Sequence, residues 1–435
     1  MISLERSGLT PHSSQRPSYI STLGYLPSCL LLIWALFDVD GLIDLLGAWG
    51  ALGLTWAPLW MKVIYSARHV TLYAPRQGQD AISLLPRLMA TVGLTSLYLA
   101  IYFKPSLIWG WVRLTDPLTI WLTGSAADQW SFYSALYTAA VLCFGVRSLY
   151  RFAGSRYHTL RTLTLMGVQL GLAFLIPALL KKAQLPDFYF SYFWPLKPDY
   201  LLPFDYMIDP SSGLISAQLN GMAVGRAMLL WSLLMTFILT PLLTYLYGKR
   251  WYCSWVCGCG ALAETFGDSW RHLTPKSQGS WRWERYTIHF SLVLIVGVTA
   301  LLWLNEAQGR ALLGSDGSQW FWGGYGLLIN MIFSGVIGVG FYPLFGPRVW
   351  CRYGCPQAAI LGLIQRFWSR FQIRTNQGQC ISCGRCSASC EMGIDVRAYA
   401  QEGEVIIRAS CVGCGVCASV CPRGVLRLES SRPRS

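Results

Sequence analysis

Charge is scarce in this sequence. Only 13% of its 435 residues are Asp, Glu, Lys or Arg, against about 25% in an ordinary soluble domain, which excludes a purely water-soluble globule. Histidine is scarcer still, with His12, His69, His158, His272 and His289 the whole set. A bis-histidine haem needs two of them facing each other in a membrane. Only His289 sits in an apolar run, and each is read as an interfacial or hydrogen-bonded residue. There is no C-x2-C-H haem attachment sequence. There is no phosphate-binding loop and no Gly-rich dinucleotide fingerprint between a strand and a helix, so neither ATP hydrolysis nor direct NADH oxidation is expected of this chain. No Met/His-rich tract for copper delivery and no low-complexity linker are present. Residues 1–19 are polar, and the apolar run behind them leads to Asp38 and Asp40 without a small-residue cleavage motif. That run is therefore expected to be an uncleaved first helix.

What is abundant is apolar and aromatic. Hydrophobic residues make up 53%, with 20 Trp and 22 Tyr, rings that collect at the two faces of a bilayer. Eight runs approach the roughly 20 residues that a bilayer requires: 20–37, 45–65, 84–103, 131–146, 162–180, 221–247, 286–304 and 321–345. The stretch 105–122 is broken by Arg113, Asp116 and Pro117 and is expected at the interface. With the N-terminus inside, segments 1–19, 62–87, 147–161 and 248–285 hold 16 Lys+Arg and the four opposite segments hold 6. The tail from 346 adds 12 more. This bias fits both termini in the cytoplasm and a bacterial inner-membrane location. It also accounts for the net charge of +14 through membrane lipids, without a nucleic-acid partner. Arg226, near the outer end of its run, is expected to snorkel to the interface.

The fold class expected is a polytopic α-helical membrane protein of eight helices with a small C-terminal α+β domain. Its expected parts are a cytoplasmic tail 1–19, N-terminal transmembrane helices 20–182, a periplasmic aromatic loop 183–220, further transmembrane helices 221–370, the C-terminal domain 371–430 and a tail 431–435. The loop is expected to form an aromatic belt. The stretch "AAILGLIQRFWSRFQIR" is expected to lie along the inner leaflet as an amphipathic helix.

Of 15 cysteines, Cys29 and Cys143 lie in apolar runs and read as small core residues. The other 13 fall between Cys253 and Cys421 in tight groups, which points to metal ligation in a reducing compartment rather than disulfides. Two runs share one spacing: Cys380, Cys383, Cys386, Cys390, and Cys411, Cys414, Cys417, Cys421 followed by Pro422. Three close thiolates wrap one iron–sulfide cube, and the fourth reaches the neighbouring cube. Cluster one is thus assigned to Cys380, Cys383, Cys386 and Cys421, and cluster two to Cys411, Cys414, Cys417 and Cys390. Ser382, Gly384, Ser387, Gly413, Gly415 and Ala418 are small enough to bring backbone close to the clusters. "VRAYAQ" reads as a helix; "GEVIIRAS" and "GVLRLES" read as strands. Residues 371–430 so resemble the bacterial two-cluster ferredoxin, which implies two [4Fe–4S] clusters. Zinc sites favour paired C-x2-C units instead. Glu391 departs from that family, which has Pro after the fourth cysteine, and a carboxylate there is expected to disfavour cluster reduction.

Two further pairs follow the sixth and eighth apolar runs: Arg250-Trp-Tyr-Cys253-Ser-Trp-Val-Cys257-Gly-Cys259, and Arg348-Val-Trp-Cys351-Arg-Tyr-Gly-Cys355-Pro-Gln. Their first cysteines are 98 residues apart, an internal repeat. Taken with the tail, residues 221–430 resemble the NosR/NapH/CcoG membrane polyferredoxins. The second copy keeps the family's proline as Pro356; the first has Gly258 and adds Cys259. The resemblance implies electron transfer between a cytoplasmic or quinol donor and a membrane or periplasmic respiratory partner, with redox proteins and a quinone as candidate partners. Cys253, Cys257, Cys351 and Cys355, with Cys259 as a spare ligand, are expected to hold a third metal centre or act as redox thiols. A competing reading is a copper reductase or maturation factor for a respiratory metalloenzyme. A transporter reading ranks last, because paired intramembrane charges are missing.

Overall fold

The computed structural model describes residues 26–67, 84–185, 188–197, 201, 229–309 and 311–430. The readings made for His12, His69, Arg226, the two tails and most of the 183–220 loop lie outside them.

Without water to satisfy the backbone, an apolar run closes its own hydrogen bonds as a helix. Six helices are long and apolar enough to cross a membrane: Leu84–Phe103, Gln129–Arg151, Arg156–Lys182, Leu229–Tyr247, Gln278–Asn305 and Asp316–Ile337. They match the last six of the eight expected runs. The first two expected runs divide differently. The described part of the first run is the helix Leu26–Phe37, and Val39–Leu46 meets the next helix at a bend of 102°. The cause is local. Asp38 caps the second helix by accepting from the Gly41 N–H at 2.9 Å, and Gly47 ends it with φ of 70°. The count is six, or seven if the bent pair is one span. The interrupted stretch forms a 3-10 turn, Pro105–Ile108, and the short helices Trp109–Leu114 and Asp116–Thr123.

The chain divides into two compact units. The first gathers described residues of 1–73, 96–187 and 261–268. Within it Gly110 lets two helices touch: a Cβ there would lie 1.6 Å from the Ala35 carbonyl oxygen. The 261–268 segment is held by ion pairs, Arg161 to Glu264 at 3.1 Å and Arg151 to Asp268. His158 is buried and stacked on Phe152 at 4.3 Å, as a structural histidine would be.

The second unit gathers described residues of 74–95, 188–260 and 269–435. The repeat seen in the sequence is built into its backbone. Gly248 (φ +71°) and Gly346 (φ +82°), 98 residues apart, stop the helices Thr240–Tyr247 and Tyr342–Phe345. Each stop is followed by a short cysteine-bearing helix, Arg250–Cys253 or Val349–Tyr353, and then by the helix Gly258–Glu264 or Pro356–Phe367. A π-helical stretch precedes each copy, Leu234–Leu239 and Gly326–Ile337, a distortion that often marks function.

Two expectations change here. The helix Pro356–Phe367 does not lie free along a leaflet. It buries Ala358, Ala359, Leu361, Gly362 and Gln365 against the rest of the unit, leaving Phe367 and Trp368 exposed. Residues 188–197 are not an exposed aromatic belt either. Phe188, Ser191 and Phe193 are buried, the Tyr252 hydroxyl donates to the Ser191 carbonyl at 2.9 Å, and Phe193 packs on Tyr252 at 5.1 Å. The Trp194 indole donates to Thr299 Oγ1 at 3.1 Å while its carbonyl accepts from Thr236 at 3.2 Å. Irregular backbone buried in this way survives because its polar groups find partners.

The C-terminal part opens and closes with an antiparallel pair, Phe371–Thr375 against Leu426–Ser430, with Ile373 opposite Leu428. Helix Val396–Glu402 forms as expected and ends at Gly403, φ +75°. The strand expected in "GEVIIRAS" shrinks to one bridge, Ile406 to Ile373.

Candidate metal centres

The two cysteine runs fold alike, offset by 31 residues. Ser382 and Gly413 both take positive φ, 56° and 63°; Gly384 and Gly415 follow at 71° and 82°, and Gly393 and Gly424 at 67° and 61°. These left-handed residues suit glycine, and they let the chain turn sharply between cysteines. Each run then enters one helical turn, Arg385–Ala388 or Val416–Ser419.

The result is two cavities, and each takes one cysteine from the opposite run. One is lined by Cys380, Cys383, Cys386 and Cys421, with Arg397 at its rim. The other is lined by Cys390, Cys411, Cys414 and Cys417, with Glu391 in its wall. The cavities differ in exposure. Cys383 faces solvent, whereas Cys411 and Cys417 are buried. The Val425 N–H donates to Cys421 Sγ at 3.4 Å and Arg271 to Cys414 Sγ at 3.5 Å. Burial pushes the Cys386 thiol up to about 11 and Cys411 up to about 12. A ligand that stabilises thiolates, as iron does, is needed to ionise them at neutral pH. The donor set and the shape fit a thiolate-held iron–sulfur cluster in each cavity.

The membrane-edge motifs bring Cys253, Cys257, Cys351 and Cys355 together. All four are buried, and their electrostatics are mutually coupled: Cys355 feels Cys351, Cys257 and Cys253. Burial raises Cys253 to about 12. Cys259 joins the group, and its hydrogen bond pulls Cys257 down to about 7. Among the described residues, no three cysteine sulfurs all lie within 4.8 Å of one another. A single tetrahedral zinc, with Zn–S of about 2.3 Å, would hold its sulfurs about 3.8 Å apart. The four thiols are therefore not gathered around one tetrahedral ion.

Several residues that serve these centres carried no motif. Gln365 is buried; its Oε1 accepts from the Lys249 N–H at 2.6 Å and its Nε2 donates to the carbonyls of Arg408 and Cys411 at 2.7 and 2.8 Å. Ser254 Oγ donates to the Val412 carbonyl at 2.7 Å. Arg352 donates to Glu284 at 2.6 Å, and Ser410 bonds the same carboxylate. The Glu391 carboxylate is buried as well, and it is met by Arg348 and Arg271, each at 3.0 Å. The only sequence signal was the basic residue three positions before each edge cysteine.

Comparison with known proteins follows the same lines. A family model described as 4Fe-4S dicluster domain matches residues 373–428. A second, described as 4Fe-4S binding domain, matches twice, at 229–277 and 327–376, once on each copy of the edge motif. The chain is similar to the Escherichia coli (strain K12) protein named "Putative electron transport protein YccM", 30% identical over 206 residues, 45% of this chain and 54% of that protein. It is also similar to "Uncharacterized protein MJ0749" of Methanocaldococcus jannaschii, 28% identical over 177 residues, 40% of this chain and 63% of that protein. The matches span less than two thirds of either relative's own length. No solved structure gives a significant match. With its dicluster domain and its twice-matched 4Fe-4S binding domain, the chain is an iron–sulfur protein.

Proposed function

We propose that this protein is a membrane polyferredoxin of the NosR/NapH/CcoG type, which passes single electrons between a cytoplasmic or quinol donor and a membrane or periplasmic respiratory partner. The observation that carries the reading is the pair of cavities, each lined by three cysteines of one run and the fourth of the other. Cys380, Cys383, Cys386 and Cys421 would hold cluster one; Cys411, Cys414, Cys417 and Cys390 would hold cluster two. The clusters supply the redox chemistry. The chain spaces them, buries the second and leaves the first at the surface. The name of the Escherichia coli relative supports electron transport.

Cys253, Cys257, Cys351 and Cys355, with Cys259 beside them, form the third centre in this reading. The repeated cysteine pairs on two copies of one motif, each matched by a 4Fe-4S binding model, favour another cluster over a copper ion, and so favour the conduit over copper reduction. The six long helices, with Leu26–Phe37 and the bent pair each crossing once, would make eight spans. Both termini would then lie in the cytoplasm of a bacterial inner membrane.

The test is anaerobic purification with iron, sulfide and copper analysis and low-temperature EPR, on wild type and on a variant with Cys253, Cys257, Cys351 and Cys355 all changed to Ser. About twelve iron per chain, falling to about eight in the variant, is expected for three four-iron clusters. About eight in both, with copper bound in the wild type only, would favour the maturation reading. Strictly anaerobic protein without iron would overturn both.

A further inference from the structure

Glu391 directly follows Cys390; the equivalent residue after Cys421 is Pro422. Its side chain is 1% exposed. Oε1 accepts from Arg348 Nη2 at 3.0 Å, and Oε2 lies 3.0 Å from Arg271 Nη1. The same Arg271 nitrogen donates to Cys414 Sγ at 3.5 Å. Arg348 Nη1 donates to Cys351 Sγ at 3.7 Å and to the Cys253 carbonyl at 3.2 Å. One chain of polar contacts therefore runs from Cys351 through Arg348, Glu391 and Arg271 to Cys414. It joins the membrane-edge cysteines to the buried cavity of the tail.

Stability does not explain this arrangement. Both arginines are buried along with the carboxylate. Desolvating each ion costs several kcal/mol, and well-packed apolar residues in place of such a triad are often no less stable. What apolar residues would not supply is a fixed charge and a hydrogen bond to a sulfur at each end. Hydrogen bonds and net charge near the sulfurs are what tune cluster potentials.

We propose that Arg348, Glu391 and Arg271 form the element that couples cluster two to the edge centre and sets both potentials together. This rests on the cluster reading above. A buried positive charge favours the extra electron of the reduced state, so each arginine raises the potential of the centre that it touches. Glu391, between them, lowers both. The three are positioning residues: the arginines touch the sulfurs of Cys351 and Cys414, Glu391 bridges the arginines, and none carries an electron itself.

The test is an anaerobic redox titration followed by EPR, with iron counted on every sample. Glu391→Gln should raise the potentials of cluster two and the edge centre together. Arg271→Gln should lower cluster two more than the edge centre, and Arg348→Gln the reverse. Cluster one, whose cavity no member of the triad lines, should move least. Arg348→Lys, which keeps the charge, should stay nearer wild type than Arg348→Gln. If Glu391→Gln loses iron, the two Gln variants at the arginines still decide, because each keeps Glu391 paired with the other arginine. Unmoved potentials at full iron content overturn the proposal and leave the cluster reading intact. Wild type without cluster two or without an edge cluster overturns the cluster reading, and the proposal with it.

Discussion

Gly413 takes φ of +63°, and a Cβ there would fall 2.7 Å from Arg250 Cβ and 3.0 Å from Phe371 Cζ. The Arg250 guanidinium stacks on Phe371 at 4.7 Å, so neither neighbour yields easily. Gly413→Ala is therefore strained in its backbone and overpacked at once. A loss of about 2–4 kcal/mol in the stability of the tail is expected from these two causes. Iron should leave the second cavity first under a chelator, which EPR follows. Equal loss from both cavities would refute the local account. Ser382, at the equivalent place, accepts a bond from Gln401 at 2.7 Å at an exposed position, and Ser382→Gly should change little. The thiols give a second residue-scale expectation. Burial lifts Cys253 and Cys411 from the ordinary value of 9.0 to about 12. Their neutral form is favoured in the fold, so their contribution is intact below pH 9 and is lost as pH rises from 9 towards 12. Metal-free protein should lose stability across that window by denaturant titration, while loaded protein, whose thiols are already ionised ligands, should not follow the same curve.

At the scale of elements, local patterns were legible and long-range ones were not. Hydrophobic runs marked the six long helices because a 20-residue apolar segment has few alternatives. The cysteine runs marked the tail because ligand spacing is a local property. The bend at Gly47 escaped the sequence reading because run length says nothing of φ. The aromatic segment 188–197 was misjudged because Phe, Tyr and Trp suit a surface belt and a buried packing equally well. Helix Pro356–Phe367 was misjudged because its partners are remote: Gln365 reaches Lys249, 116 residues away. That residue also makes the clearest element-scale prediction. Gln365→Leu fits the space but leaves the Lys249 N–H and two carbonyls buried without their partner. Each orphaned group costs about 1–3 kcal/mol. The segment 408–412 should then exchange its amide hydrogens faster by at least tenfold, with the strand pair Phe371–Thr375 and Leu426–Ser430 unaffected. Unchanged exchange would mean that Gln365 does not hold the tail to the edge motif.

For the whole molecule, the charge of the tail makes a test of where electrons enter. The tail from 346 carries 12 basic and 5 acidic residues. Around the solvent-facing cavity, Arg385, Arg397 and Arg423 are exposed. None of these three has an ion-pair partner among the described residues, whereas Arg374 nearby is neutralised by Glu429 at 3.2 Å. A cationic rim raises the local concentration of anionic reactants, and the gain falls as salt screens it. An anionic, membrane-impermeant reductant such as dithionite should therefore reduce cluster one faster than the buried cluster two at early times. Its rate should drop as ionic strength rises. Arg385→Glu with Arg397→Glu should slow it several-fold and abolish most of the salt dependence, with iron content unchanged. The same reagent reports orientation. In inverted vesicles, which present the cytoplasmic face, reduction should be prompt; in right-side-out vesicles it should need a permeant mediator. Prompt reduction only in right-side-out vesicles would reverse the topology derived from the Lys and Arg distribution. A rate indifferent to both salt and the double substitution would mean that electrons do not enter at this rim.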